Sequence, residues 1–271
     1  MELEVCAYSL ESCLAARMAG ATRVELCAAP FEGGTTPSVA AIIGAMDILK
    51  GENVYPPLQL YVMIRPRGGD FYYSSTEFEQ MEQEIEFIKG IVGINGVVLG
   101  LLNKNGAIDV ERTSKLVERA KNGIYINSVT GEKRACAPLG VTFHRAFDMS
   151  RGGEESFPFK VLEDVILTGA NRVLTSGFYP TAIEGKKAIG ELVKQAAGRI
   201  NIMAGSGVCA ANAIELAQLG VDALHMSGKA ERESEMTYRN PLLSMGAKIG
   251  AEYSVIYTDK KAVEAVKKLI F

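Results

Sequence analysis

The segment GVDALHMSG, residues 220–228, is one of four similar segments in this chain. The others are GATRVELC (20–27), GINGVVLG (93–100) and GANRVLTSG (169–177). In each, a helical pattern ends at glycine, the usual residue at a helix C-terminus, and an apolar strand begins three or four residues later. The four segments therefore predict a fold built from repeated helix-to-strand units.

Further apolar runs lie between these segments, so that eight short candidate strands can be counted. They span residues 3–9, 23–29, 59–65, 96–102, 140–147, 172–177, 201–207 and 223–228. A helical pattern follows each strand, as in SSTEFEQMEQEIEFIKG (74–90). Alternation of short strands and helices is typical of a parallel α/β sheet, and eight units in 271 residues predict a closed (β/α)8 TIM barrel. Since no linker interrupts the pattern, we expect one domain over residues 1–271.

The four segments also predict which side chains point into the barrel. Side chains alternate along a strand, so residues two apart share a face. The outward set, under the helices, is Val24, Val97, Val173 and Leu224, followed by Leu26, Leu99, Thr175 and Met226. The inward set is Glu25, Cys27, Val98, Gly100, Leu174, Ser176, His225 and Ser227. The same alternation turns Glu4 and Cys6 of the first strand inward.

Composition excludes several classes of protein. The net charge is −3 and no long basic run exists, so nucleic acid is not an expected partner. No apolar run reaches the roughly 18 residues that cross a bilayer, and the N-terminus carries glutamates where a signal peptide has Lys or Arg. We therefore expect a cytoplasmic protein without membrane contact. The five cysteines form no C-x-x-C pair, and two histidines are too few for a three-histidine metal site.

Charged residues follow the third and the fifth predicted strand directly. They are Arg65, Arg67 and Asp70 after the third strand, and His144, Arg145 and Asp148 after the fifth. Functional residues of (β/α)8 barrels lie at these C-terminal strand ends. Arg67 and Asp70 could equally form a salt bridge that orders their loop, which is the role we expect for Asp70.

Two carboxylates are expected inside the barrel, where a charged group must be paired or protonated. The candidate partners of Glu4 and Glu25 are Arg65, His144 and His225, and we expect Glu25 to meet Arg65 near the C-terminal rim. These five residues are the candidate catalytic set, as a general acid/base pair with its neighbours. A purely structural ion-pair cluster is the alternative.

Cys6 and Cys27 are expected at similar depth on adjacent strands, both facing inward. Two close thiols can hold a soft cation such as Cu(I), although buried free cysteines are also common as small core residues.

Glycine-rich loops follow the seventh and eighth strands, in MAGSGVCAAN (203–212) and MSGKAE (226–231). Loops at these positions commonly bind phosphate through backbone N–H groups. With Lys229 nearby, they predict an anionic ligand. The candidate binding residues are Arg67, Gly205, Gly207, Ser227 and Gly228.

Two segments do not fit the strand–helix pattern. Residues 122–138 form a polar insertion before the fifth strand, expected as an irregular loop at the N-terminal end of the barrel. The polar tail after Ser234, MTYRNPLLSMGAKIGAEYS (236–254), is either an ordered loop over the barrel mouth or disordered, and a last helix is expected at KKAVEAVKKLIF (260–271).

Several long motifs resemble the CutC family, which is named for copper homeostasis. They are LEVC (3–6), RVELCAAPFEGGTTPS (23–38), MIRPRGGDF (63–71), VTFHRAFDM (141–149), RVLTSG (172–177) and IMAGSGV (202–208). The resemblance implies the barrel fold and, by the family's name, a copper role in which the suspected copper-binding cysteines fall on Cys6 and Cys27.

Two functions stay open at this point. One is a cytoplasmic copper-handling protein that binds Cu(I) through Cys6 and Cys27. The other is a barrel enzyme acting on a small anionic or phosphorylated metabolite. The expected partner is accordingly a copper ion or a small anionic ligand, and a homodimer is compatible with the sequence.

Overall fold

The computed structural model describes residues 1–50, 58–127, 129–151, 158–240, 242–244 and 251–271. Its strands, in chain order, are β1 (Glu2–Ala7), β2 (Arg23–Leu26), β3 (Gln59–Met63), β4 (Gly96–Leu99), β5 (Ile124–Ile126), β6 (Lys133–Ala135), β7 (Gly140–Phe143), β8 (Arg172–Thr175), β9 (Asn201–Gly205), β10 (Ala223–Met226), β11 (Lys229–Glu233) and β12 (Ser254–Thr258). Its α-helices are α1 (Leu10–Met18), α2 (Val39–Leu49), α3 (Ser75–Lys89), α4 (Val110–Lys121), α5 (Pro158–Leu167), α6 (Lys186–Ala196), α7 (Ala213–Ala217) and α8 (Lys260–Ile270).

Eight of these strands form a closed parallel barrel. Around the barrel the order is β1-β10-β9-β8-β7-β4-β3-β2, and pairing of β1 with β10 closes it. The helices cover the outside, which confirms the predicted (β/α)8 barrel. Within the described ranges, no helix is long and apolar enough to cross a bilayer.

The four repeated segments share one structural device at the N-terminal end of the barrel. Their first glycines all have positive φ, between 77° and 105°, which ends the preceding helix. Two residues later a side-chain oxygen accepts the backbone N–H of the second residue of the neighbouring strand, at 2.8–2.9 Å. These acceptors are Thr22, Asn95, Asn171 and Asp222, and their donors are Leu3, Leu60, Val141 and Ile202. The repeat therefore joins neighbouring strands in pairs, β1 with β2, β3 with β4, β7 with β8 and β9 with β10, through side chains as well as through the sheet.

The buried clusters confirm the predicted facing of the apolar residues and of the two cysteines. The outward valines and leucines pack in the large apolar core between the barrel and its helices. Cys6, Cys27 and Val98 pack instead in a separate cluster inside the barrel, and Leu174 belongs to another. Glu4 and Glu25 are fully buried among the interior residues. Thr175, expected outward, uses its hydroxyl to bind Asp148 at 2.5 Å.

An antiparallel arm separates the last barrel strand from the last helix. β11 pairs with β12, and α8 follows and packs on α1 and α7. The last helix expected at 260–271 is confirmed as α8, whereas β12, which begins at the end of the tail at Ser254, was not expected. Residues 241 and 245–250 of that tail lie outside the described residues.

The insertion at 122–138 forms a β-hairpin, where an irregular loop was expected. β5 and β6 pair antiparallel, and the Ile126 N–H donates to Glu86 on α3. Arg134 stacks on the Tyr125 ring at 4.6 Å. Gly131 supplies the positive φ of the turn between the two strands. The strands are only three residues long, too short for an alternating pattern to stand out.

We expect Asn171→Ala to lower the free energy of unfolding by roughly 1 kcal/mol, because the N–H of buried Val141 loses its acceptor. Asn171→Asp keeps an acceptor, as Asp222 does at the equivalent position, and should lose much less. Urea unfolding of both variants checks this. Equal losses in the two variants would show that the side-chain acceptor is not what stabilises this junction.

Candidate functional site

The C-terminal ends of the barrel strands open into a cavity of about 550 Å³. Its floor contains Cys6, Glu25 and His225. One wall contains Arg65, Phe71 and His144, and the rim contains Gly207, Ser227, Gly228 and Lys229.

Strand register explains how the floor is assembled. β1 lies between β10 and β2, so Glu4 stands opposite His225 on one side and Arg23 on the other. Two residues further along β1, Cys6 stands opposite Glu25. Inward alternation on three adjacent strands therefore brings acidic, basic and thiol groups together in successive layers.

Glu4 is an ionised carboxylate held between two cations. One oxygen accepts a hydrogen bond from the Nε of Arg23, and the other lies 2.7 Å from His225 Nδ1. Burial alone would raise the pKa of Glu4, but Arg23 and the hydrogen bond from His225 lower it to about 2. Glu4 therefore fixes both the position and the protonated Nδ1 of the imidazole.

His225 is held as an imidazolium. Burial opposes its charge. An ionised Glu25 would raise its pKa most, and with Glu25 protonated the raised pKa rests on the hydrogen bonds with Cys6 and Glu4 and on the charge of Glu4. Its Nε2 lies 3.8 Å from a Glu25 oxygen. The cation thus faces the second layer of the floor, where Cys6 and Glu25 stand.

Cys6 and Cys27 form a close pair inside the barrel, and the pKa values of their thiols are shifted in opposite directions. Their Sγ atoms lie 3.8 Å apart, within range of an S–H···S hydrogen bond. This hydrogen bond from Cys27, with help from His225, lowers the pKa of Cys6 well below the ordinary thiol value. Burial and the neighbouring Cys6 raise the pKa of Cys27 well above it. Of the two sulfurs, Cys6 is thus the one whose thiolate form is favoured, with Cys27 as the hydrogen-bond donor to it.

Glu25 is the neutral acid of the group. Burial, and then the charge on Cys6, raise the pKa of Glu25 well above the ordinary carboxyl value. Its Oε1 is buried and has no hydrogen-bond partner within the described residues. The expected ion pair with Arg65 is wrong, since the two side chains do not come within ion-pair distance.

Arg65 binds loop carbonyls where a carboxylate partner was expected. Its guanidinium donates to the carbonyl oxygens of Glu32 and Gly34 at 2.5 and 2.8 Å, and to that of Gly69 at 2.8 Å. The loops after β2 and β3 are thereby tied together at the cavity wall. A sequence pattern does not reveal a backbone partner of this kind. Pairing Arg65 with Glu25 by charge alone therefore gave the wrong partner.

His144 is a buried neutral histidine, apart from the carboxylates. Burial, with the nearby charge of Arg65, lowers its pKa to about 3. Its Nδ1 accepts the N–H of Ala146 at 3.2 Å, so the ring proton is on Nε2. The structure therefore separates the two histidines into a charged one on the floor and a neutral one on the wall.

The candidate anion-binding residues divide into two groups. Gly207, Ser227 and Gly228 line the cavity rim. Gly205 instead lies beneath the side chains of Leu174 and His225. Arg67 lies outside the cavity lining and pairs with Asp70 at 3.0 Å and Glu77 at 2.5 Å, in the loop-ordering role considered from the sequence.

Two functional neighbours were missed in the sequence. Arg23 stands two residues before Glu25, so alternation alone could have turned it inward beside Glu4. Met63 stands two residues before Arg65 and packs against Cys6 and Cys27. Its thioether adds a third sulfur to the buried cluster that contains both cysteines.

In the part of the chain that the structure describes, two overlapping groups of side chains could hold a metal ion. Ligand atoms of Cys6, Glu25 and Cys27 lie within 4.8 Å of one another, and so do those of Glu4, Glu25 and His225. The first group, with its two sulfurs, suits a soft ion. The second suits a harder one, but its histidine is already occupied as a cation.

A model of the CutC family matches residues 1–230. The chain belongs to the CutC family. It is 43% identical over 256 residues to a CutC family protein of Porphyromonas gingivalis, covering 94% of this chain and 92% of that protein. A CutC family protein of Histophilus somni is 40% identical over 270 residues, covering 99% of each. A solved structure from Streptococcus agalactiae, named for copper homeostasis, has a TM-score of 0.70 and 32% identity, covering 84% of this chain and 98% of that one. The resemblance seen in the motifs is thereby confirmed.

We expect Glu25→Gln to be more stable than the wild type at neutral pH. The folded wild type keeps Glu25 protonated, whereas the unfolded chain ionises it near pH 4.3, so stability falls as pH rises above that value. The difference should grow by up to about 1.4 kcal/mol per pH unit until the folded carboxyl ionises. Urea unfolding from pH 4 to 8 measures it, with exposed Glu79→Gln as control. A wild type more stable than the variant at pH 7 would mean that Glu25 is ionised and paired.

Proposed function

We propose that this CutC family member is an enzyme that acts on a small anionic metabolite, with the Cys6 thiolate as base or nucleophile. The proposal rests on three neighbouring side chains at the cavity floor, Cys6, His225 and Glu4. A thiolate beside an imidazolium that is oriented by a carboxylate has the arrangement of an activated cysteine.

An acid and a base stand side by side in this floor. Cys6 can take a proton from the substrate or attack an electrophilic carbon, while Glu25, protonated and directly opposite in the register, can give a proton to the developing oxyanion. Glu4 keeps His225 charged and in place, so the imidazolium stabilises the thiolate between turnovers. Each group thus has a separate role in one proton-transfer step.

The cavity favours a small anion. Its volume of about 550 Å³ suits a metabolite, and Arg65, Arg145 and Lys229 line it. All five cysteines are free. Free thiols are typical of the reducing cytoplasm, where such metabolites occur, and we place the protein there.

A second candidate function, Cu(I) binding, is favoured by the sulfur cluster of Cys6, Cys27 and Met63. Thiolate–metal bonds of about 2.3 Å allow sulfurs 3.8 Å apart to bind one ion at a bent angle, which leaves space for a third ligand. Met63 packs beside both cysteines and offers a soft thioether. Copper would then be the cargo, and the thiolate of Cys6 its first ligand.

For the enzymatic function, we expect the wild type to consume an anionic compound when incubated with a bacterial metabolite extract. Because the base would be lost, Cys6→Ala should react roughly 100-fold more slowly or worse. Mass spectrometry of the extract over time provides the measurement. Cys136→Ala, which changes a cysteine near the β5–β6 hairpin, serves as control. No consumed compound, or equal rates in Cys6→Ala and wild type, would count against the proposal.

For copper, we expect the double variant Cys6→Ser, Cys27→Ser to lose anaerobic Cu(I) binding while keeping its fold. Met63→Leu preserves volume and removes one soft donor, so it should weaken the affinity without abolishing it. Competition with a chromophoric Cu(I) chelator measures the Cu(I) affinity of the wild type and of both variants. Cys136→Ser is the control, and its losing the same affinity would move the site away from the floor.

A further inference from the structure

One wall of the cavity is built on a single aromatic ring. The Arg65 guanidinium carbon lies 4.9 Å from the centre of the Phe71 ring, and the His144 ring lies 5.0 Å from the same centre. All three residues line the cavity. Arg65 and His144 are therefore held as neighbours by a shared support.

His144 presents an unused donor on this wall. Its Nδ1 is engaged by Ala146, and its buried Nε2 has no hydrogen-bond partner among the described residues. A buried donor without an acceptor costs about 1–3 kcal/mol, so such a group calls for an explanation. A ligand atom that accepts from Nε2 would provide it.

Arg65 presents an unneutralised charge beside that donor. It is 5% exposed, and no carboxylate within the described ranges forms an ion pair with it. Its three bonds to carbonyl oxygens satisfy part of its five N–H donors and none of its charge. A buried cation is normally matched by an anion, and here the open side belongs to the cavity.

We propose that Arg65, Phe71 and His144 form a carboxylate subsite for the substrate of the enzyme inferred above. The subsite offers one positive charge, one neutral donor and a flat apolar ring. These features match a planar carboxylate with one negative charge better than a phosphate with two. The inference rests on the proposed function, because it names the class of substrate that the Cys6 thiolate meets.

The subsite also limits the length of the substrate. The Gly34 carbonyl accepts from Arg65, and a Cβ at Gly34 would lie 3.2 Å from Cys27 Sγ. One residue thus separates the guanidinium from the thiol pair. The carboxylate and the reacting carbon of the substrate are accordingly only a few bonds apart, as in a small α- or β-substituted carboxylic acid.

Two alkylating reagents test the subsite without knowledge of the substrate. Iodoacetate and iodoacetamide react alike: the thiolate sulfur bonds to the CH2 carbon and iodide leaves. They differ in that iodoacetate carries a carboxylate. Peptide mass spectrometry gives the rate at each cysteine, and Cys136, remote from the cavity, gives the intrinsic ratio of the two reagents.

We expect the iodoacetate-to-iodoacetamide rate ratio to be at least about tenfold higher at Cys6 than at Cys136. His144→Phe keeps an aromatic ring against Phe71 but loses the donor, so it should bring the Cys6 ratio toward that of Cys136. His144→Gln retains an N–H donor and should preserve part of the preference. A ratio at Cys6 equal to that at Cys136 in the wild type overturns the subsite and leaves the reactive thiolate standing.

Failure of the proposed function gives a different result. If Cys6 reacts with neither reagent, the proposal of an accessible thiolate at Cys6 is wrong. Calorimetry of the wild type with malonate and with inorganic phosphate then tests the carboxylate subsite by itself. Malonate binding that weakens in His144→Phe supports it. Preference for phosphate, or malonate binding unchanged in His144→Phe, overturns it.

Discussion

The burial of one carboxylate, Glu4, organises the interior of this barrel. A charge that is fully removed from water must be neutralised, and Glu4 meets this requirement with Arg23 on one neighbouring strand and His225 on the other. The same pairing spans the seam where the first and last barrel strands meet. It keeps His225 charged, and the charged imidazole in turn helps to stabilise the thiolate at Cys6. Fold closure and site electrostatics therefore depend on the same group.

The sequence pattern predicted the regular, repeating parts of this structure and missed the irregular parts. Repetition predicted the barrel, and alternation predicted that Glu25 faces inward, since both are regular along the chain. The same alternation also turns Arg23 inward, whereas Arg65, at a strand end, was the predicted partner of Glu25. Arg65 is bound by loop carbonyls, whose positions depend on backbone conformation and not on residue type. The β5–β6 hairpin and the β11–β12 arm were missed for a related reason, because their strands are short or follow an exposed polar segment.

The two candidate functions use the same atoms in different states. As a base, Cys6 needs the proton on Cys27 to remain there, because the S–H group stabilises the thiolate. As copper ligands, both sulfurs would be deprotonated, at the expense of burying a second charge beside Glu25. Because Glu25 is protonated, it repels this second negative charge less than a carboxylate would. The cavity floor therefore suits either acid–base catalysis or the binding of a soft metal ion. The two functions differ in whether Cys27 keeps its proton.

The pairing of β1 with β10 joins groups that are 221 residues apart in the chain. Contacts of such long sequence separation form late, because chain entropy opposes them until much of the fold exists. During synthesis, Cys6 leaves the ribosome long before His225 is made, and in an open chain its thiol has an ordinary pKa near 8.5. The thiol is then largely protonated and unreactive. Its activation waits for the strand that closes the barrel, so an unfinished or misfolded chain does not carry the reactive group of the finished protein.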